Sequence, residues 1–189
     1  MLDNRGVKRF YLKKDGEYKE EISNLYLSAF PEDERPPLFW FFECLYKYDA
    51  NEVISYVVDG QFIGFTMLAH YEDIYYICYL AVKEEYRNQG YGSRMIMDIK
   101  YTHQDSTILV CFEEDDPKYI DYELRRRRHL FYIRHGFIDN GLKTREGEVV
   151  YQSSYYGSHK VNYETYCKIF DICYGEGAHL KYLKCEKEY

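Results

Sequence analysis

The chain predicts a single α+β domain, a mixed sheet flanked by helices. Runs rich in aromatic and β-branched residues recur along it, broken by turn signals such as Asp59-Gly60. Segments with apolar residues at helical spacing are interspersed with these runs. The 189 residues contain no internal repeat and no clear linker, enough for one domain and marginal for two.

The elements follow in order. Val7 to Lys14 reads as a short strand ended by Asp15-Gly16. Glu21 to Phe30 reads as a helix, with Ile22, Leu25, Tyr26 and Ala29 on one face, and Pro31 stops it. After the polar loop "PEDERPP", Leu38 to Tyr48 is a strongly apolar second helix. Asn51 to Gln61 is a strand and turn, and Phe62 to His70 and Ile74 to Val82 are further strands. A glycine-containing loop, Arg87-Asn88-Gln89-Gly90-Tyr91-Gly92-Ser93, leads into a helix with Tyr91, Met95, Ile96 and Ile99 on one face. Thr107 to Phe112 reads as a buried strand. Tyr122 to His135 reads as a helix capped by Gly136. Phe137 to Lys143 and Glu148 to Tyr156 are strands on either side of Gly147, and Asn162 to Ile172 is a helix. The last residues are charged and read as loose.

Composition narrows the function classes. The net charge of −7 argues against a general nucleic-acid binder. Arg125 to Arg128 are consecutive on a helix and point about 100° apart, so they form no single basic face. The six cysteines show no CxxC pair and sit mostly in apolar runs, as reduced, buried thiols of a cytoplasmic protein do. No apolar run is long enough to span a bilayer, and the first residues resemble no signal peptide. The histidines do not cluster, so no metal site is expected.

Chemistry concentrates in the glycine loop. A strand, a glycine-rich turn and a helix start present free backbone N–H groups in one direction, and the helix dipole adds partial positive charge. This makes an anion site suited to phosphate. Gly90 and Gly92 permit close backbone approach, and Arg87 adds a full charge. The P-loop is excluded because no Gly-Lys-Ser/Thr follows. The dinucleotide fingerprint is excluded because only Gly-x-Gly is present, in mid-chain.

The segment "YLAVKEEYRNQGYGS" resembles motif A of the GNAT acetyltransferase superfamily, Arg/Gln-x-x-Gly-x-Gly/Ala, through Arg87, Gly90 and Gly92. A second segment, "HLFYIRHGF" from His129 to Phe137, resembles the family's motif B helix. The order of elements agrees from roughly Val7 to Tyr156, as in small bacterial-type members. The resemblance implies an α/β/α-layered fold: a mixed, mostly antiparallel sheet of about seven strands with a V-shaped splay between strands 4 and 5. Residues 1–157 would form this domain, and 158–189 a C-terminal helical extension packed on it. The cofactor implied is acetyl-CoA. By similarity, Leu80, Ala81 and Val82 would meet its pantetheine arm, and Arg87, Asn88, Gln89, Gly90, Tyr91, Gly92 and Ser93 its pyrophosphate.

The implied reaction is direct attack on the thioester, in a ternary complex, by a primary amine of a small molecule or peptide. Tyr132 stands where many members hold the tyrosine that protonates the departing thiolate, and Glu113, in "CFEEDD", stands where an acid often acts as base. Glu114, Asp115 and Asp116 read as a solvated acidic turn. The loop with Glu32, Asp33, Glu34 and Arg35 overhangs the acceptor pocket in this superfamily, so Glu34 and Tyr79 are substrate-binding candidates. Arg125 occupies a place where many members carry Asn. The protein is expected to be a monomer or homodimer. The alternative is a non-catalytic acyl-CoA-binding sensor or scaffold of the same fold. The loop fits both, while Tyr132 and a nearby acid favour the enzyme.

Overall fold

The computed structural model describes residues 6–12, 16–32 and 35–188. Eight strands form one sheet in the order β1-β2-β3-β4-β5-β7-β6-β8. The strands are β1 (Val7–Tyr11), β2 (Asn51–Val58), β3 (Gln61–Tyr71), β4 (Ile74–Val82), β5 (Thr107–Glu113), β6 (Ile138–Glu146), β7 (Val149–Tyr156) and β8 (Leu183–Lys187). The helices are α1 (Lys19–Ala29), α2 (Leu38–Lys47), α3 (Tyr91–Thr102), α4 (Tyr122–Arg134), α5 (Tyr163–Tyr174) and α6 (Ala178–Tyr182). Lys13 to Asp15, read as the end of the first strand, lie outside the described residues.

The expected count of about seven strands is exceeded by one. The segment that reads as loose contains α6 and the edge strand β8, which pairs antiparallel with β6. Only Leu183 of β8 is buried. A short edge strand with one apolar anchor and charged neighbours gives little alternating pattern to read.

All neighbouring strands are antiparallel except β4 and β5. That parallel pair holds only from Ile74↔Thr107 to Ile77↔Val110. Beyond it the strands part, so the β5-facing backbone of Cys78 to Val82 has no strand partner. A bulge sits at the point of parting. On β3, Met67 faces Tyr79 and Leu68 faces Ile77, leaving Cys78 as the extra residue. The extra residue shifts the alternation by one. Ile74 and Tyr76 therefore share a sheet face with Tyr79 and Ala81, while Ile77 shares the other with Leu80 and Val82.

The first of these faces is covered by α1, α2 and α5, around Ile22, Tyr26, Phe41, Phe65, Tyr166 and Phe170. The opposite face is covered by α3 and α4, around Met95, Ile96, Ile99, Phe112 and Phe137. Helices α1, α2, α3 and α5 are amphipathic and bury one stripe against the sheet, whereas α4 buries only Tyr132. The C-terminal residues thus contribute α5 to the main core, with Tyr166 and Ile169 fully buried.

Candidate active site

The parting strands open a cleft of about 760 Å³. Its walls come from the ends of β4 and β5, from α4, from the α1 terminus, and from Glu146 and Tyr174 further along the chain. At one mouth lies the glycine loop. Glu84–Tyr86 form a single 3-10 turn after β4, and Gly90 precedes α3 at φ +83°, a left-handed conformation that favours glycine. No side chain caps α3, and the first N–H to bond back into the helix is that of Arg94, to the carbonyl of Gly90. The N–H groups of Tyr91, Gly92 and Ser93 therefore have no partner within the helix.

Side chains brace this loop. Arg87 Nε donates to the carbonyl of Val82 at 3.1 Å, tying the loop to the end of β4. Gln89 Nε2 donates to the carbonyl of Glu85 at 2.7 Å. Asn88, at φ +61°, accepts from Arg127 Nη2 at 2.5 Å. That link from α4 to the loop is a feature that sequence reading missed, since Arg127 reads as one of four scattered arginines. Arg127 and Arg128 both line the cleft. Arg125 instead pairs with Asp121 at 2.8 Å and lies over the ring of Tyr119.

Tyr132 is buried and lines the cleft. Its ring stacks on Phe112, with centroids 5.4 Å apart, and meets Phe131 and Phe137 edge-on. Burial pushes its phenol up to about 12, against the pull of Arg128. It is therefore a neutral donor at physiological pH.

The acidic turn, read as solvated apart from Glu113, is instead partly buried and paired. Glu113 is buried and ion-paired with Arg128. Glu114 is held by Lys143 at 2.6 Å and Lys118 at 3.0 Å, which keep its carboxyl below the usual range. Asp115 bonds His129 and Gln152, and Asp116 pairs with Lys118. Tyr79 lines the cleft, but its ring packs among Tyr26, Phe30 and Phe41. Glu34 lies outside the described residues. Its neighbour Arg35 donates to the carbonyl of Phe30 at 2.9 Å, at the cleft's edge.

The residue that sequence reading missed altogether is Glu146. It ends β6, follows Thr144 on the inward face, and lines the cleft. Tyr166 Oη donates to it at 3.3 Å. Enclosure pushes its carboxyl up from 4.5 to about 7. Among the described residues no cluster of His, Cys, Asp or Glu suits a metal ion, and no helix is long and apolar enough to cross a membrane.

Comparison with known proteins agrees with this geometry. Residues 49–139, which span β2 to the start of β6 and include the glycine loop and Tyr132, match the family model of the acetyltransferase (GNAT) domain. Over those residues the chain matches a GNAT acetyltransferase domain. A GNAT family protein from Bacteroides thetaiotaomicron has the same fold, with a TM-score of 0.69 and 22% identity over 89% of this chain and 98% of that one. An aminoglycoside 6'-N-acetyltransferase complexed with coenzyme A superposes at 0.63, with 15% identity over 79% and 96% of the two chains. A GNAT family acetyltransferase from Elizabethkingia anophelis with acetyl-CoA bound superposes at 0.57, with 11% identity over 81% and 99%. A search of curated proteins found no sequence match. The mixed sheet with its one parallel pair, β4 and β5, is the GNAT fold that the motifs imply.

The site fits an acyl-CoA. The loop offers uncommitted N–H groups and two glycines for pyrophosphate, with Arg87, Arg127 and Arg128 nearby. The open backbone of β4 offers hydrogen bonds to an extended amide chain.

Proposed function

We propose that this GNAT domain transfers the acetyl group of acetyl-CoA to a primary amine of a small molecule or peptide, by direct attack in a ternary complex. One observation carries the reading. The parting of β4 from β5 after Ile77 and Val110 opens a single cleft onto both the glycine loop and Tyr132. Acetyl-CoA supplies the activated acyl carbon and a thiolate leaving group. The protein supplies position and charge. The N–H groups from Gln89 to Ser93 hold the pyrophosphate at the α3 N-terminus. Leu80, Ala81 and Val82 align the pantetheine arm along β4, whose free backbone donors also face the thioester oxygen.

Tyr132 acts at the sulfur. A phenol near 12 is a weaker acid than a thiol near 8.5, so full proton transfer to a thiolate is uphill. Its contribution is a hydrogen bond that strengthens as charge gathers on sulfur. Glu113 fixes Arg128 one helical turn before Tyr132, which holds a positive charge beside the phenol.

Acetyl-CoA at a hundred times its Kd is expected to stabilise the fold by about 2.7 kcal/mol, roughly 5–10 °C in Tm. No shift at millimolar acetyl-CoA would overturn the acetyltransferase reading. Tyr132→Phe is expected to lower kcat about 100-fold in a CoA-release assay, with the acetyl-CoA shift unchanged. Unaltered turnover would remove Tyr132 from the chemistry. CoA stabilisation without turnover of any amine would favour the sensor module.

A further inference from the structure

Three carboxylates line the cleft, and they are not equivalent. Glu84 is exposed on the turn after β4. The charge of Glu113 is committed to Arg128. Glu146 is the third, and among the described residues it has no cationic partner. The groups that face it are phenols and thiols. From α5 come Tyr166, 3.3 Å away, Cys173 and Tyr174; from β4 comes Tyr76, whose Oη is 3.4 Å from that of Tyr166. From β5 comes Cys111, from β7 the opposing Val149, and from β8 the opposing Leu183. The basic residues of β6 are engaged elsewhere, Lys143 with Glu114 and Arg145 with Glu186. A half-buried carboxylate without a counter-charge is costly. Facing a cleft, it is the group a cationic ligand would complete.

We propose that Glu146 binds the acceptor's ammonium group and takes its proton, and that the acceptor is a primary amine with one positive charge on an apolar or aromatic body. The proposal rests on the acetyltransferase reading. Of the two cleft carboxylates without an ion pair, Glu84 is exposed beside the glycine loop and Glu146 is half-buried, so one ammonium is matched to Glu146. The cleft wall around it, with Phe30, Cys78, Tyr79 and Tyr174, suits an uncharged body. The balance is closed. The ammonium gives one proton to the Glu146 carboxylate, and the free amine forms the C–N bond as the C–S bond breaks. The electron pair goes to sulfur, the nitrogen's second proton leaves with the sulfur as thiol, and Glu146 returns its proton to solvent. A carboxyl near 7 is matched to this task at neutral pH. Tyr166 donates to the charged form and connects it to Tyr76.

Phenethylamine is the probe, with acetyl-CoA as donor and CoA thiol release as the readout from pH 5.5 to 8.5. For the unmodified protein, kcat/KM is expected to rise with pH and level off above about pH 7. Glu146→Gln is expected to lower kcat/KM about 100-fold at pH 7 and to abolish that inflection, leaving a continued rise as free amine accumulates. Glu146→Asp recovers part of the loss. Acetyl-CoA stabilises all three proteins equally. A Glu146→Gln rate within threefold of the unmodified protein, with its inflection retained, overturns the proposal. So does calorimetry showing no phenethylamine binding to the CoA-saturated protein at millimolar amine. A tenfold preference for spermidine over phenethylamine overturns the single-charge assignment. Failure of acetyl-CoA to stabilise the unmodified protein places the fault in the acetyltransferase reading, and the proposal falls with it.

Discussion

Gly64→Ala is expected to destabilise the fold by about 3 kcal/mol or more, a Tm loss of roughly 6–12 °C. A Cβ at this position would lie 2.3 Å from the carbonyl oxygen of Ala81, 3.1 Å from Val82 Cα and 3.2 Å from the Ala81 carbonyl carbon. Every one of these atoms is backbone, so no rotamer change relieves the overlap. Strands β3 and β4 must separate where Gly64 faces Val82, in the centre of the sheet. The same segment of β4 walls the cleft, so the variant should also lose acetyl-CoA stabilisation. Gly60→Ala is the control. It meets nothing within 4 Å and carries only the strain of φ +79°, about 1–2 kcal/mol. Calorimetric unfolding with and without acetyl-CoA measures both. Equal Tm values for the two variants would show that β3 and β4 yield at this point without cost.

Much of this architecture was legible because its signals are local. Strand β4 lies where its aromatic and β-branched run places it, Ile74 to Val82, and α3 begins at Tyr91, directly after Gly90. The glycine loop was readable because left-handed backbone and free N–H groups need particular residue types at fixed spacing. The bulge at Cys78 was not. Nothing in "YYICYL" marks an extra residue, and only the register against β3 reveals that Tyr76 and Tyr79 share a face. Strand β8 was invisible for a related reason. Its pairing with β6 spans some forty residues, and its exposed charges carry no periodicity. Arg127 and Glu146 show the same limit within the site. Each is an ordinary charged residue in its own segment, and each acquires a role from a distant element: Arg127 from Asn88 of the loop, Glu146 from Tyr166 of α5. The acid easiest to find by motif, Glu113, reached the cleft but with Arg128 attached.

Glu146 should also leave a mark on stability that is opposite to its effect on catalysis. Its carboxyl titrates near 7 in the folded chain and near 4.5 in the unfolded one, so the folded state holds the extra proton between those values. Stability falls with rising pH wherever the native state binds more protons. The penalty is therefore absent below about pH 4.5, grows between 4.5 and 7, and is constant above. A shift of this size corresponds to at most about 3 kcal/mol. Glu146→Gln removes it, since an amide is neutral throughout. Above pH 7.5 the variant should melt roughly 6–12 °C higher than the unmodified protein, and near pH 4.5 the two should converge. Tm measured across pH 4.5–8 tests this, and parallel curves would show that the carboxyl is solvated rather than enclosed. The sign separates a functional carboxylate from a structural one. An ion pair such as Glu113 with Arg128 loses stability when its acid is neutralised. A site kept ready for a cationic ligand gains it, because the charge costs stability until the ligand arrives.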